Sequence, residues 1–283
     1  MKLEDIQSTC PPNWCPGCGN FGIFTAFKNA AVEKGWNSSN SVLVTGIGCH
    51  NNILNAIKIT SVKGLHGRGV PVATGIKLAN HKLNIFVFTG DGDCLGEGGN
   101  HFIHAARRNH DINVLIHNNG LYSLTTGQAS PATQAGAKTK STPFGNPDKA
   151  FSIPALAIAS GATFVARGYA LDTPKLTELI KKAQEHQGFS VIDILQPCIT
   201  LNKELTPTFY KENTYYLEES YDSTNKEEAF KKSLEWGPKQ IPLGIIYQEE
   251  KPSFEASVPQ LKEKTLIEIP LERNIGDLLK KYS

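Results

Sequence analysis

Apolar runs that stop abruptly at glycine-rich or polar turns organise the chain up to about Thr200. Ser41-Val42-Leu43-Val44-Thr45 is β-branched and apolar and leads straight into Gly46-Ile47-Gly48-Cys49. Ile85 to Thr89 does the same before Gly90-Asp91-Gly92-Asp93, and Val114 to His117 before Asn118-Asn119-Gly120. Runs that are apolar at every position, without alternation, belong to strands buried on both faces, as in parallel sheets. Apolar residues spaced by three and four predict a helix over 21–34; further helices are expected over 100–109, between the second and third runs, and over 174–186, flanked by strands around Thr163-Phe164-Val165 and Val191 to Leu195. Strand, helix, strand in succession predicts right-handed βαβ units. The expected fold class is therefore α/β, a doubly wound parallel sheet covered on both faces. From about Thr200 the composition turns to Lys, Glu, Tyr and Pro, with short elements around Pro242 to Tyr247. This predicts a binding domain over 1–200 and, over 201–283, a C-terminal extension packed on the same domain.

Composition narrows the function. Hydrophobic residues make up 40% and charged residues 20% of the 283, and no apolar run approaches the roughly 18 residues of a membrane span. The 29 Lys and Arg nearly balance the 27 Asp and Glu, leaving +2 with no basic stripe, so neither nucleic acid nor membrane is an expected partner. Met1-Lys2-Leu3-Glu4-Asp5 lacks the apolar core of a secretory signal, which predicts a cytoplasmic protein. Six cysteines in a reducing compartment point to metal or redox chemistry more than to disulfides.

Ligands of parallel sheets bind at the carboxyl ends of the strands, where the unusual clusters of this chain fall. A diphosphate needs backbone N–H donors at close range and a hard cation bridging its oxygens; Gly90, Gly92, Gly96, Gly98 and Gly99 permit the approach, and Asp91 offers an anionic oxygen. Gly-Asp-Gly alone also suits an ordinary turn. Its interval to Asn118-Asn119 allows one helix and one returning strand, which would set Asp91 and the Asn pair on adjacent strand ends. With both halves ending apolar strands, the pattern resembles the thiamine diphosphate fingerprint of decarboxylases, transketolases and 2-oxoacid dehydrogenases. That resemblance implies Mg²⁺ held by Asp91, Asn119 and the carbonyl of Leu121.

Trp14-Cys15-Pro16-Gly17-Cys18-Gly19 places a C-x-x-C pair on a Pro/Gly turn that lets two thiolates converge on one centre. No strand precedes it, unlike a thioredoxin-type pair. Cys49 and Cys198 each stand just past a predicted strand, on the same sheet edge as the diphosphate cluster. Four thiolates suit Zn²⁺ or a [4Fe–4S] cluster equally well by spacing. Cys10 and Cys94 are assigned no role.

The motifs together are more specific than any one of them. Trp14-Cys15-Pro16-Gly17-Cys18-Gly19, Gly46-Ile47-Gly48-Cys49, Leu65-His66-Gly67-Arg68, Gly90-Asp91-Gly92-Asp93, Arg107-Arg108-Asn109, Leu124 to Pro131 and Gln196-Pro197-Cys198 occur in one order. In that order they resemble the β subunit of 2-oxoacid:ferredoxin oxidoreductases over nearly the whole chain. The resemblance implies a sheet of the thiamine diphosphate-binding type and CoA-dependent oxidative decarboxylation of a 2-oxoacid to acyl-CoA and CO₂. Electrons would pass to ferredoxin through a [4Fe–4S] cluster on Cys15, Cys18, Cys49 and Cys198. It implies thiamine diphosphate contacts from Ile47, Gly48, Cys49, His50, His66, Gly67, Arg68, Gly69, Gly92, Asp93 and the stretch Ser123, Leu124, Thr125, Thr126, Gly127, Gln128. Asn52 stands where the family often has a basic residue for the substrate carboxylate, leaving His50 as a substitute contact. Apolar Leu124, at the family's substrate position, favours a 2-oxoacid larger than pyruvate. The glutamate that activates the thiamine ring is expected from an α subunit, or a fused α/γ chain, in an αβ or (αβ)₂ assembly. The competing expectation is a subunit of a split, non-redox thiamine-dependent 2-oxoacid decarboxylase with structural or zinc-binding cysteines.

Overall fold

The apolar runs become strands of one eight-stranded sheet. A computed structural model describes residues 1–270 and 275–282; the part of the expected extension at 271–274 and 283 lies outside them. In chain order the strands are β1 (Ser41–Thr45), β2 (Thr60–Lys63), β3 (Asn84–Gly90), β4 (Asn113–Asn118), the short pair β5 (Leu121–Tyr122) and β6 (Gln128–Ala129), then β7 (Phe164–Tyr169), β8 (Ser190–Leu195), β9 (Thr214–Tyr216) and β10 (Ile241–Gln248). The sheet order is β2-β1-β3-β4-β8-β7-β10-β9, parallel except where β10 meets β7, and β5 and β6 form a separate antiparallel ribbon.

Two apolar clusters account for the unbroken hydrophobic runs. Leu43, Phe86, Phe88 and Leu115 join one cluster with Phe24 and Phe27 of the helix Asn20–Lys34 and Leu176 and Ile180 of the helix Thr173–Glu185. The intervening Val42, Val44, Ile85, Val87, Val114 and Ile116 face the other way, toward the helices Gly69–Ala79, Gly99–Arg108 and Ile153–Ser160. Alternate residues serve opposite faces, so the central strands carry apolar residues at successive positions.

The tail does more than brace the domain. β10 pairs antiparallel with β7 and carries β9, so residues beyond Thr200 complete the sheet. β2 is an exposed edge whose Thr60-Ser61-Val62-Lys63 lacks any apolar run, which is why periodicity does not signal it. From β1 the chain pairs outward to β2 and then crosses back to β3, so strand order reverses between β1 and β3. Ligands bind at such a reversal, in the crevice outside the strand ends. Neighbours β1, β3, β4 and β8 deliver Gly46 to Cys49, Asp91 to Asp93, Asn118-Asn119 and Gln196 to Cys198 to that one edge.

Candidate active site

Asp91 lies directly after β3 and is 1% exposed. Its carboxylate accepts the Asn119 N–H at 3.4 Å and the Ser130 hydroxyl. Burial pushes its pKa up to about 7, against the opposing pull of Ser130 and Asn119. A hard divalent cation would favour the ionised form of this buried carboxylate, and the oxygen of Asn119 beside it is a second donor of the kind such a cation takes. Asn119 Oδ1 accepts from the Leu121 N–H at 3.1 Å and the Ser123 hydroxyl at 2.9 Å, which ties the Asn pair to the β5–β6 ribbon.

Asp93 is a hub. It accepts the N–H of Ile47 at 3.0 Å, the N–H of Gly67 at 2.7 Å and the Thr89 hydroxyl at 2.7 Å, while His50 and His66 stand 3.5 and 3.6 Å away. Burial raises its pKa, but His50 and the backbone donors outweigh this and leave it below the usual carboxylate value. One side chain thus fastens the turn after β1 and the His66-Gly67 turn to the π-helical turn Gly92–Glu97.

A cavity of about 110 Å³ opens at this edge. It is lined by Asp91, Asn119 and Leu121, and by Ile47, Gly48, Cys49, His50, His66, Gly92, Asp93, Ser123, Leu124 and Thr125. Gly67, Arg68, Gly69, Thr126, Gly127 and Gln128 do not line it. Gly67 acts through Asp93, the Arg68 guanidinium donates to the Glu97 carbonyl at 3.0 Å, and Gly69 starts a helix. Thr126 and Gly127 line a different cavity, and Gln128 accepts the Thr125 hydroxyl at 2.7 Å. Asn52 donates to the Asn13 carbonyl at 2.9 Å, away from this cavity.

The four cysteines at loop positions meet across a neighbouring cavity of about 350 Å³, lined by Cys15, Cys18, Cys49 and Cys198. Three loops are joined there: the Trp14 ring N–H donates to the Cys49 carbonyl at 2.6 Å, and the Gly19 N–H to the Pro197 carbonyl at 3.1 Å. Burial raises the Cys18 and Cys49 thiols, Cys49 to about 11, and Cys198 and Cys15 push both further. Among the described residues, no three His, Cys, Asp or Glu side chains draw close enough for a single metal ion. Cys94 is buried apart from this set and Cys10 is exposed.

Several residues of the site escape motif reading because they arrive through space. Tyr122 lays its ring against Gly92 and donates toward the Gly92 carbonyl at 3.4 Å; burial, then Glu97, raise its pKa to about 12. Ser130 and Gln196 do stand in stretches the sequence singles out, Leu124 to Pro131 and Gln196-Pro197-Cys198, but nothing there signals their contacts with Asp91 and Asn119.

Residues 46–194 match the family model of the thiamine pyrophosphate enzyme C-terminal, TPP-binding domain, and residues 198–263 match that of the C-terminal part of the pyruvate ferredoxin oxidoreductase β chain. The 2-oxoacid:ferredoxin oxidoreductase subunit β of Saccharolobus solfataricus is 49% identical over 251 residues, 84% of this chain and 82% of that protein. The chain belongs to the 2-oxoacid:ferredoxin oxidoreductase β-subunit family. Another relative of this β subunit is the 2-oxoglutarate synthase subunit KorB of Archaeoglobus fulgidus, 43% identical over 217 residues, 74% of this chain and 81% of that one. Among solved structures, the 2-oxoglutarate:ferredoxin oxidoreductase of Magnetococcus marinus, with 2-oxoglutarate, coenzyme A and succinyl-CoA bound, matches at a TM-score of 0.92. It is 32% identical, and the match covers 100% of this chain and 96% of that one. The sheet is therefore of the thiamine diphosphate-binding type, and this β subunit works in a multi-subunit enzyme with an α partner. No helix among the described residues is long and apolar enough to cross a membrane.

Proposed function

We propose that this chain carries the thiamine diphosphate, Mg²⁺ and [4Fe–4S] sites of an enzyme that oxidatively decarboxylates a 2-oxoacid with coenzyme A and passes electrons to ferredoxin. The observation that carries this reading is a shared wall: Cys49, Asn119, Ser123, Leu124 and Gln196 line both the Asp91 cavity and the four-cysteine cavity. Adjacent centres at one sheet edge suit chemistry in which electrons leave an organic cofactor for a metal centre.

Asp91, Asn119 and the Leu121 carbonyl would hold Mg²⁺, which relieves the penalty on the buried Asp91 carboxylate. The diphosphate would lie against Gly48, Gly92 and the turns that Asp93 fastens. Cys15, Cys18, Cys49 and Cys198 around the cavity of about 350 Å³ would hold the cluster, and a redox role for this centre favours iron–sulfur over Zn²⁺, which has no redox chemistry to offer. Thiamine diphosphate, once bound, supplies the electron sink for the carbon skeleton, and the cluster accepts electrons one at a time. This chain's residues orient the two groups and exclude water between them.

Leu124 lies at the cavity mouth, 50% exposed, where an apolar contact favours the side chain of a 2-oxoacid larger than pyruvate. 2-Oxoglutarate is named for one solved relative and is the first substrate to test. In this reading residues 1–200 carry the cofactor groups, residues 201–283 complete the sheet beside them, and the α partner supplies the activating glutamate. The experiment is anaerobic co-expression with the partner subunit and a panel of 2-oxoacids with coenzyme A, read by ferredoxin or low-potential dye reduction. Iron-replete, CoA-dependent turnover is expected. A colourless complex that decarboxylates without reducing the dye overturns the reading.

A further inference from the structure

The side chain of Gln196, 1% exposed, lies between the two centres. Asn119 Nδ2 donates to Gln196 Oε1 at 3.0 Å, and Gln196 Nε2 donates to Cys18 Sγ at 3.4 Å. The direction of this chain is not arbitrary. The Leu121 N–H is only a donor, so it must face the Asn119 oxygen. Asn119 therefore turns its NH₂ to Gln196, which must present its own oxygen there and its NH₂ to the sulfur. Gly19 makes the approach possible, since a Cβ there would stand 2.8 Å from Gln196 Cγ and 3.0 Å from Pro197 Cδ.

We propose that Gln196 is a positioning residue for both centres: its oxygen holds the Asn119 amide in the orientation a magnesium ligand needs, and its N–H donates to a cluster sulfur on Cys18. The inference rests on the proposed cluster and magnesium sites. Hydrogen bonds to cluster sulfurs offset the negative charge added on reduction, so this donor raises the reduction potential.

The test uses the αβ holoenzyme, purified anaerobically, and its Gln196→Met variant, which keeps the side chain's length and loses both hydrogen bonds. Iron content, the potential from a redox titration followed by electron paramagnetic resonance, and Mg²⁺-dependent thiamine diphosphate affinity are measured for both. A more negative potential is expected at full iron content, with cofactor affinity lower by about tenfold, the scale of one lost buried hydrogen bond. A second measurement needs no variant. With nitrogen-15 placed in glutamine side chains, electron–nuclear double resonance of the reduced wild-type cluster is expected to detect a coupled amide nitrogen.

An iron-replete variant with unchanged potential, unchanged cofactor affinity, or a wild-type cluster with no glutamine coupling overturns the proposal alone. A wild-type complex without a cluster overturns the cluster reading and this inference together.

Discussion

His110 Nδ1 lies 2.7 Å from Glu255 Oε1, and both side chains are buried. Glu255 also accepts the Asp111 N–H at 3.1 Å, so one carboxylate clamps the C-terminal segment to the turn that feeds β4 and, at its far end, the Asn pair.

Burial raises the Glu255 pKa, but His110 and the backbone donors prevail and leave it below the ordinary glutamate value. A depressed folded-state pKa contributes stability above the unfolded value of about 4.3, and that contribution fades as pH falls through the folded pKa. Glu255→Gln should cost about 2 kcal/mol near neutrality, the scale of a lost hydrogen bond to a charged group. Urea titrations at successive pH values should show the gap between wild type and variant narrowing in acid; a gap independent of pH would refute the clamp.

Asp91→Asn should separate stability from cofactor binding. It keeps an acceptor for Asn119 and Ser130 while removing a carboxylate whose charged form burial penalises, pushing its pKa up to about 7, so the cofactor-free variant should melt no lower than wild type. Wild type at a hundredfold excess over Kd should gain about 2.7 kcal/mol from thiamine diphosphate and Mg²⁺, and the variant almost none. Removing Mg²⁺ with a chelator should bring wild type down to the variant's level. Normal magnesium-dependent protection of the variant in a melting assay would be the contrary result.

Gly96 owes its lack of a side chain to the Tyr122 hydroxyl, which a Cβ would strike. Gly96→Ala should destabilise by about 1–3 kcal/mol through overpacking. Removing the hydroxyl leaves Tyr122 Cζ at 3.3 Å from the new Cβ, so adding Tyr122→Phe should restore most of the loss. A double-mutant cycle that finds the two changes additive would contradict this contact.

The cysteines should divide into two classes. Cys15, Cys18, Cys49 or Cys198 changed to Ser should lose iron and the brown colour of the anaerobic complex. Cys94→Ala should keep both, at a cost of about 1–2 kcal/mol for a small buried cavity, and Cys10→Ala should change neither. Iron analysis of the six variants decides it; full iron in any of the first four would remove that residue from the set.

The amino-acid sequence by itself determined the parallel α/β core. Strands from Ser41, Asn84, Asn113 and Ser190 carry apolar residues at successive positions without alternation, which burial on two faces explains, and each ends in a motif with its own chemistry. Strand ends in a parallel sheet share one edge, so the gathering of Asp91, Asn119, Cys49 and Cys198 followed from pattern alone. Tertiary structure decided what pattern does not encode. Periodicity reports which face of an element is buried but not its neighbour, so the insertion of β10 beside β7 was not legible in Ile241 to Gln248, nor edge strand β2 in its polar residues. The same limit holds within the site. Asp93 gathers two distant turns, Ser130 meets Asp91, and Gln196 spans Asn119 and Cys18 because hydrogen bonds join groups that chain folding brings within about 3 Å, whatever their separation in sequence.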